Sequence, residues 1–598
     1  MRTSIATVSL SGSLTEKLTA ASRAGFDGVE VFENDLLASP LTPEEIRARC
    51  ADLGLSIDLY QPMRDIEALP EEEFTRALRR ARHKFELMGR LGTDTVLVCS
   101  SVSPHALDDD ALAAEQLSRL AGLAEDHGVR VAYEALAWGR HISTYDHAWQ
   151  VVESAGHPAL GTCLDSFHIL SRGSDPKGIE DIPGEKIFFL QLADAPLLAM
   201  DVLQWSRHYR CFPGQGGFDV AGLVRHVLRA GYDGPLSLEV FNDVFRQSEA
   251  GPTAVDARRS LLTLQETVGL AAPPAPAPPT GIAFAELVTP DAAPVSAVLG
   301  ALGFTRTARH RGKPVDLWQH GDARVLVNTG PAERREGTRL AAVGLESPDP
   351  AGAARRAEAL LAPVLPRRRP PGDAALEAVA APDGTELFFC ATGRPGLPDW
   401  RADFEDVAHP SHDGEPRRVD HLSLTQPWHQ FDEAALFHRA VLGLRPQESV
   451  DVADPYGLLR SRAVSTDDGA VRIVLTVGPA PTDDTAHAQH IALATDDVVA
   501  AARRYRAAGG TPLPIPANYY DDLAARFEFA DGELETYREL GILYDRDAHG
   551  TFRHCYTHTV GRVFFELVQR DGGYRGYGAA NAPVRLAAQH AVRGFTGG

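Results

Sequence analysis

The chain has 598 residues, of which 44% are hydrophobic and 23% charged, and its formal net charge is −22 at pH 7. A chain of this length exceeds what one hydrophobic core supports, so we expect two or three domains. The strongly acidic balance argues against nucleic acid or an anionic membrane as the main partner and favours a small-molecule substrate.

Two features predict a cytoplasmic location. The start, MRTSIATVSLSG, lacks the basic residues and long apolar run of a signal peptide, and no stretch has the length and apolarity of a membrane helix. The six cysteines are scattered without CxxC spacing, which argues against a disulfide framework or a zinc ribbon.

Residues 1–265 alternate between short β-type runs and amphipathic helical stretches. The eight β-type runs, in chain order, are SIATVSL, GVEVFE, LSIDLYQP, TVLVCSS, RVAYEAL, GTCLDSFH, IFFLQLAD and LSLEVF. Such an alternation predicts an α/β fold, a closed (β/α)8 TIM barrel. An open doubly wound sheet is the alternative, but no glycine-rich phosphate loop follows the first run, and the barrel is therefore favoured.

The last four of these runs each carry one metal-type ligand near the C-terminal end: Glu134, Asp165, Gln191 and Glu239. Residues at the C-terminal ends of barrel strands point into the open site where chemistry occurs. One acidic residue at a strand end is usually solvated or salt-bridged, but four in series predict a metal site. Three carboxylates and one amide oxygen favour Mg²⁺, Mn²⁺ or a similar hard cation.

Three further residues are candidates for the same site. His168 follows Asp165 by three residues, so the turn after the strand can hold it beside the metal as an acid/base. Arg64 and Arg210 lie in loops after the third and seventh runs, and we predict a substrate role for each. The alternatives are that Arg64 pairs with Asp65 and that Arg210 is a solvated loop charge.

A proline-rich run, AAPPAPAPPT at residues 271–280, separates two halves of the chain. Its prolines favour a stiff, extended spacer because they can neither continue a helix nor pair within a sheet. We therefore predict a barrel at 1–268, a linker at 269–280 and a second folded region at 281–598.

The second region repeats itself, which predicts two related α+β modules, at about 281–400 and 416–598. Three segments of the first module each resemble one of the second: those that begin at Gly281, Arg339 and Thr385 resemble those that begin at Arg418, His487 and Arg562, respectively.

We predict a metal site in the second module only. His421, His490 and Glu566 lie on three separate predicted strands, and two histidines with one carboxylate form a facial triad that leaves coordination positions open, as in non-heme Fe(II) sites. At the positions that we interpret as corresponding, the first module has Glu286, Ala342 and Cys390, which do not form such a set of ligands.

The barrel half resembles the xylose-isomerase-like, sugar phosphate isomerase/epimerase superfamily in its ligand order and in the segments FPGQGGFD and GYDGPLSLEVF. The QPMRD loop, the DSFH strand end and glutamine as third ligand resemble bacterial 3-dehydroshikimate dehydratases. The resemblance implies dehydration of 3-dehydroshikimate to protocatechuate in quinate and shikimate catabolism, dependent on Mg²⁺, Mn²⁺ or Co²⁺. It also implies that Arg64 and Arg210 bind the substrate carboxylate.

Residues 281–598 resemble 4-hydroxyphenylpyruvate dioxygenases of the vicinal-oxygen-chelate fold. The matching motifs are VDHL at Val419, QHIAL at Gln489, PANYY at Pro516, GILYDRDAHG at Gly541 and FFELVQR at Phe564. This resemblance implies Fe²⁺ or another divalent metal on the triad. The pattern departs from the family at substrate-binding positions, where Val474 and Thr476 replace proline and asparagine and Ala582 replaces an aromatic residue.

Other functions remain open from the sequence. The barrel could be a sugar or cyclitol isomerase or epimerase, since the same metal shell supports enediolate chemistry. The second region could be an active 2-keto-acid dioxygenase or a non-catalytic module that stabilises the barrel or mediates homo-oligomerisation.

Overall fold

The computed structural model describes residues 1–330, 337–366, 372–408, 417–455, 457–478 and 488–596. The chain divides into two compact units, Met1–Ala272 and Pro273–Gly598. The predicted limits of the second module, residues 416 and 598, lie outside the described residues. Within the proline-rich run, the carbonyl of Pro274 accepts a hydrogen bond from Arg356 of the second unit.

The first unit is a closed barrel of eight parallel strands that pair in chain order, with β1 also pairing with β8. The strands are β1 Thr3–Ala6, β2 Gly28–Phe32, β3 Ser56–Met63, β4 Thr95–Cys99, β5 Arg130–Glu134, β6 Leu160–Asp165, β7 Ile187–Leu192 and β8 Leu236–Leu238. Each strand overlaps one of the eight predicted runs and extends at most one residue beyond it, so the predicted barrel is confirmed.

Helices connect the strands and cover the barrel. They are α1 Leu14–Ala24, α2 Glu33–Ala38, α3 Pro43–Asp52, α4 Glu71–Leu91, α5 Asp110–Glu125, α6 Tyr145–Ala155, α7 Ser166–Ser171, α8 Val202–His208, α9 Val220–Arg229 and α10 Ala250–Thr267. In α4, apolar residues at helical spacing, including Phe74, Ala81 and Phe85, are buried. The helix ends at Gly92, whose φ of 82° favours glycine.

The alternation of side chains along the strands fills the barrel and leaves polar groups at its mouth. Ala132, Cys163 and Phe189 belong to one apolar cluster, distinct from the larger core that contains their neighbours on β5, β6 and β7. Two residues after these come Glu134, Asp165 and Gln191. Because side chains two residues apart on a strand share a face, these polar side chains point to the same side as the cluster.

The second unit contains two eight-stranded sheets. The strands of the first are β9 Gly281–Val288, β10 Thr305–His310, β11 Val315–His320, β12 Ala323–Asn328, β13 Arg339–Glu346, β14 Glu377–Ala380, β15 Glu386–Cys390 and β16 Phe404–Asp406. Those of the second are β17 Val419–Thr425, β18 Arg445–Asp454, β19 Gly457–Ser465, β20 Arg472–Val477, β21 Gln489–Ala494, β22 Leu543–Arg546, β23 Gly550–Tyr556 and β24 Val563–Gly572.

The helices of this unit are α11 Ala292–Ala301, α12 Pro350–Ala359, α13 Phe431–Ala440, α14 Val498–Ala507, α15 Ala517–Arg526, α16 Glu533–Leu540 and α17 Ala582–Thr596. Within the described residues of the whole chain, no helix has both the length and the apolar character needed to cross a bilayer.

The predicted repeat is confirmed by strand pairing. In the first sheet β9 pairs antiparallel with β13 and parallel with β12, and β13 pairs parallel with β15. The second sheet repeats these pairings: β17 pairs antiparallel with β21 and parallel with β20, and β21 pairs parallel with β24. Two copies of one α+β module therefore form the second unit.

The strand register corrects part of the sequence comparison between the modules. With Ala342 aligned to His490, the residues at the three ligand positions of the first module are Phe284, Ala342 and Phe388. The sequence comparison gave Glu286 and Cys390 as the counterparts of His421 and Glu566, and each of these two assignments is wrong by two residues. The rings of Phe284 and Phe388 lie 6.0 Å apart in an apolar cluster, so packed side chains fill the space.

We predict that a chain ending at Ala272 folds alone, because the barrel closes within this segment and has its own apolar core. Circular dichroism should show native helix content and one cooperative thermal transition. The matched control ends at Gly231 and lacks β8, so the pairing of β1 with β8 is lost and the chain should not unfold cooperatively. Aggregation of the longer chain would contradict the prediction.

Candidate metal centres and active site

The structure places the four predicted barrel ligands at the same end of neighbouring strands. Glu134 is the last residue of β5 and Asp165 the last of β6, while Gln191 is the penultimate residue of β7 and Glu239 directly follows β8. All four are at most 5% exposed. The barrel mouth therefore contains three buried carboxyl groups and one buried amide.

Glu134 has one carboxyl oxygen without a partner among the described residues, whereas both carboxyl oxygens of Asp165 accept hydrogen bonds. Glu134 Oε2 lies 3.4 Å from the thiol of Cys99, whereas Oε1 is buried and has no hydrogen-bond partner among the described residues. Asp165 Oδ1 accepts hydrogen bonds from the backbone N–H groups of Phe167 and His168 at the start of α7. Asp165 Oδ2 accepts a hydrogen bond from Arg210 Nη1 at 2.7 Å.

The amide of Gln191 is oriented by a buried carboxyl group that the sequence interpretation missed. Gln191 Nε2 and Gln61 Nε2 both donate to Glu30 Oε2, at 2.6 and 2.8 Å, and the Ser237 hydroxyl donates to Glu30 Oε1. Because the amide nitrogen of Gln191 is bound to Glu30, its oxygen is the atom left for a metal. Glu30 lies 161 residues from Gln191, so no local pattern indicates the contact.

Arg210 lies among the proposed ligands. Its Nη1 donates to Asp165 Oδ2 at 2.7 Å and to Glu239 Oε2 at 3.1 Å, and its Nε and Nη2 donate to the hydroxyl of Ser206. The guanidinium is 1% exposed. Arg210 therefore neutralises part of the buried negative charge and positions two carboxyl groups.

Arg64 is differently placed. It is half-buried and has no hydrogen bond or ion pair in the described part of the chain; its charge acts on His168 and Glu239. Arg207, which the sequence interpretation missed, packs over the rings of Trp138 and Phe241. Its position on α8, three residues before Arg210, is the local signal that could have identified it.

His168 is buried beside the ligands. Its Nδ1 lies 3.1 Å from the backbone N–H of Ala137 and its Nε2 lies 3.2 Å from Nη2 of Arg210, so both ring nitrogens face hydrogen-bond donors. Nε2 lies 3.8 Å from Asp165 Oδ2 and 3.9 Å from Glu134 Oε1. Burial lowers the pKa of His168 to about 3, so the ring is neutral at physiological pH.

The charges of the site fit a divalent cation. Burial raises the pKa of Glu134 well above its ordinary value, and the carboxyl of Asp165 raises it further. Burial likewise raises the pKa of Glu239 to about 7. Crowded, buried carboxyl groups with an unpaired oxygen are the donor set that a hard divalent cation binds.

The second unit brings its predicted triad together on the adjacent strands β17, β21 and β24. His421 Nε2 and His490 Nε2 are 3.1 Å apart, and Glu566 Oε2 lies 3.2 and 3.3 Å from them. Metal bonds of about 2.0–2.2 Å that meet at right angles separate their donor atoms by about 3 Å. The three atoms therefore have the spacing of one face of an octahedral metal site.

Buried partners hold the triad in this orientation. Asp420 Oδ1 lies 2.9 Å from His421 Nδ1 and also pairs with Arg570, while His554 Nδ1 lies 2.7 Å from Glu566 Oε1. Burial would raise the pKa of Glu566, but the neighbouring imidazoles lower it well below its ordinary range. Such outer contacts fix the tautomer and direction of metal ligands.

Family models match both units. Residues 18–266 match the xylose isomerase-like TIM barrel. Residues 418–534 match the glyoxalase, bleomycin resistance protein and dioxygenase superfamily, and residues 274–342 match the N-terminal part of hydroxyphenylpyruvate dioxygenase. The fold class predicted for each half is therefore confirmed.

Relatives match over the whole length. The chain is 44% identical to the 3-dehydroshikimate dehydratase of Pseudomonas putida and 45% identical to that of Pseudomonas aeruginosa, with 99% of each chain covered in both comparisons. A solved xylose isomerase-like TIM barrel/4-hydroxyphenylpyruvate dioxygenase fusion protein superposes with a TM-score of 0.91 at 42% identity, covering 99% of this chain and 100% of that one. The chain belongs to the family of 3-dehydroshikimate dehydratases in which a xylose isomerase-like barrel is fused to a dioxygenase-like domain.

Proposed function

We propose that the barrel is a hydro-lyase that dehydrates 3-dehydroshikimate to protocatechuate, 3,4-dihydroxybenzoate, in quinate and shikimate catabolism. The observation that carries this proposal is the full-length identity of 44% to the Pseudomonas putida 3-dehydroshikimate dehydratase. The buried carboxyl groups at the barrel mouth supply a site for the reaction. The sugar or cyclitol isomerase alternative has no comparable support.

The proposed metal ligands are Glu134, Asp165, Gln191 and Glu239, with Mg²⁺, Mn²⁺ or Co²⁺ as the cation. When bound, such a cation supplies a Lewis acid that polarises the substrate ketone and makes the adjacent proton more acidic. Glu30 orients the amide of Gln191, and Arg210 holds Asp165 and Glu239 in place.

His168 is the proposed acid/base. Its Nε2 faces the carboxyl groups and Nη2 of Arg210, and its Nδ1 faces the backbone N–H of Ala137. Nε2 is therefore the ring atom placed to exchange a proton with a substrate in the barrel mouth. Loss of the β-hydroxyl and tautomerisation then produce the aromatic ring.

Arg64 is the stronger candidate for the substrate carboxylate. Within the described residues its guanidinium has no partner, so all its donors remain for a bidentate contact. Arg210 already donates to two carboxyl groups, and its predicted carboxylate contact stays a prediction. Arg207 adds a third positive charge near the site.

For the second unit we propose that His421, His490 and Glu566 bind Fe²⁺ or another divalent metal. The cysteines are free and buried, which supports the proposed cytoplasmic location. A homo-oligomer remains a prediction.

A direct assay tests the proposed reaction. Purified protein is incubated with 3-dehydroshikimate after treatment with a chelator and again after addition of Mg²⁺, Mn²⁺ or Co²⁺. We expect ultraviolet absorbance of an aromatic product only in the presence of metal. No aromatic product under any metal condition would refute the dehydratase proposal.

We predict that Glu134→Gln lowers kcat at least about 100-fold and reduces the metal bound to the barrel, because one charged ligand is lost. Turnover is followed by product absorbance, and metal content by elemental analysis of the dialysed protein. The control is Glu125→Gln, which changes the exposed last residue of α5. Parental turnover in the Glu134 variant would rule out this ligand.

We predict that Arg64→Lys lowers kcat/KM at least about tenfold, or roughly 1.4 kcal/mol, mainly by raising KM. Lysine retains the charge but cannot form the two parallel hydrogen bonds that guanidinium makes with a carboxylate. Arg82→Lys on the exposed face of α4 is the control. If both variants keep the parental KM, Arg64 does not bind the carboxylate.

We predict that Glu30→Gln weakens metal binding by about 10- to 100-fold. The new amide can place an N–H donor opposite the N–H donors of Gln61 and Gln191, so the contact that orients Gln191 is weakened. Competition with a coloured chelator measures the affinity without any turnover. An unchanged melting temperature shows that the fold is retained. Unchanged metal affinity would mean that Glu30 does not position Gln191.

A further inference from the structure

The loop between β3 and α4, residues 64–70, has an uncommon backbone conformation. Asp65 and Ala68 have φ angles of 54° and 56°, and Leu361 is the only other non-glycine residue with a positive φ in the part of the chain that the structure describes. Residues with a Cβ atom rarely adopt this left-handed conformation, and they keep it only where the surrounding structure holds the backbone. Specific contacts must therefore hold this loop.

The carboxyl group of Asp65 makes one of these contacts. Its Oδ1 accepts hydrogen bonds from the backbone N–H of Val102 at 2.9 Å and from the hydroxyl of Ser101 at 3.3 Å. Both donors lie directly after β4, the neighbouring strand of the barrel. Asp65 therefore anchors the loop to the end of β4, and within the described residues it forms no ion pair with Arg64, the residue before it.

Two further contacts hold the rest of the loop. Glu67 Oε1 accepts hydrogen bonds from the backbone N–H of Ser101 at 2.5 Å and from the hydroxyl of Tyr133 at 2.9 Å. Farther along, the side-chain amide of Gln116 on α5 binds both the N–H and the carbonyl group of Leu69. The loop is therefore fixed along most of its length.

Arg64 lies between this fixed loop and β3. Met63, the residue before it, is the last of β3 and is paired with β4, while Asp65, the residue after it, is bound to the segment that follows β4. The Arg64 side chain has no hydrogen bond or ion pair in the described part of the chain, and its charge acts on His168 and Glu239 in the barrel mouth. The direction of Arg64 is therefore set by the backbone on either side and not by polar contacts of its own.

We propose that Asp65 is a positioning residue: its left-handed backbone and its hydrogen bonds to the end of β4 hold Arg64 so that a free guanidinium faces the barrel mouth. The inference rests on the proposed function, in which Arg64 binds the substrate carboxylate. A guanidinium that is already in place loses less freedom when a carboxylate binds, so Asp65 lowers KM without touching the substrate. Aspartate suits the position because it tolerates the left-handed conformation and supplies an acceptor for both donors.

Substitutions separate the two contributions of Asp65. Asparagine tolerates the left-handed backbone and keeps an acceptor oxygen, whereas glycine keeps only the backbone. We expect Asp65→Gly to raise the KM for 3-dehydroshikimate at least about fivefold with little change in kcat, because the loss is in substrate binding. Asp65→Asn should stay within about twofold of the parental KM. A KM as high in Asp65→Asn as in Asp65→Gly would overturn the proposed anchor.

A double-mutant cycle tests whether Asp65 acts through Arg64. Initial rates of the full chain with Mg²⁺ are followed by product absorbance for the parent, Asp65→Gly, Arg64→Lys and the double variant. We expect Asp65→Gly to raise KM less than about twofold when residue 64 is already lysine. Equal relative increases in both backgrounds would overturn the proposal, because Asp65 would then act independently of Arg64. The control is Asp94→Gly, which changes an exposed residue directly before β4 and should retain the parental KM.

The outcomes of the cycle separate this inference from the proposed function. An unchanged KM in Arg64→Lys would refute the carboxylate contact, and the inference with it. A KM that rises in Arg64→Lys but not in Asp65→Gly would refute only the positioning role.

A measurement without turnover checks the anchor itself. The backbone N–H of Val102 is bound by Asp65, so a peptide containing Val102 should exchange hydrogen for deuterium faster in Asp65→Gly than in the parent, as measured by mass spectrometry. Asp65→Asn and Asp94→Gly should exchange at the parental rate. Parental exchange in Asp65→Gly would overturn the proposal, because the loop would then be held without Asp65.

Discussion

The burial of several carboxyl groups at one end of the barrel is the constraint on which the first unit depends. Glu30, Glu134, Asp165 and Glu239 are all at most 5% exposed, and their charges repel one another. Arg210 compensates part of this charge through direct contacts. A divalent cation would compensate the rest, so the buried negative charge that destabilises the barrel mouth also favours the binding of a metal.

The second unit shows how little must change for one scaffold to gain or lose such a site. Both modules have the same central strand pairings, and the three ligand positions differ between them. Where the second module has two imidazoles and a carboxylate, the first has two phenylalanines and an alanine packed as core. Packed rings stabilise the sheet without a ligand, whereas the triad depends on buried partners such as Asp420 and His554 to hold its polar groups.

Sequence patterns predicted most of the fold, and they predicted that the candidate ligands would lie together, because both follow local periodicity. Their positions at C-terminal strand ends made Glu134 and Asp165 candidate ligands, and the alternation of side chains along a strand predicted the side to which they point. The orienting role of Glu30 was not predictable, because its contact with Gln191 joins β2 to β7. The assignment of Glu286 as the counterpart of His421 failed by two residues, a shift that keeps the same face of the strand and leaves no trace in the hydrophobic pattern.

The two candidate metal sites differ in their electrostatic character. The barrel mouth has several buried carboxyl groups, and Arg210 compensates only part of their charge, so a divalent cation bound there meets mainly oxygen donors. The triad of the second unit has one carboxylate, Glu566, between two imidazoles, and the neighbouring carboxylate of Asp420 is already paired with Arg570. The second site therefore has less uncompensated negative charge and offers nitrogen as well as oxygen donors, which suits a transition metal better than Mg²⁺.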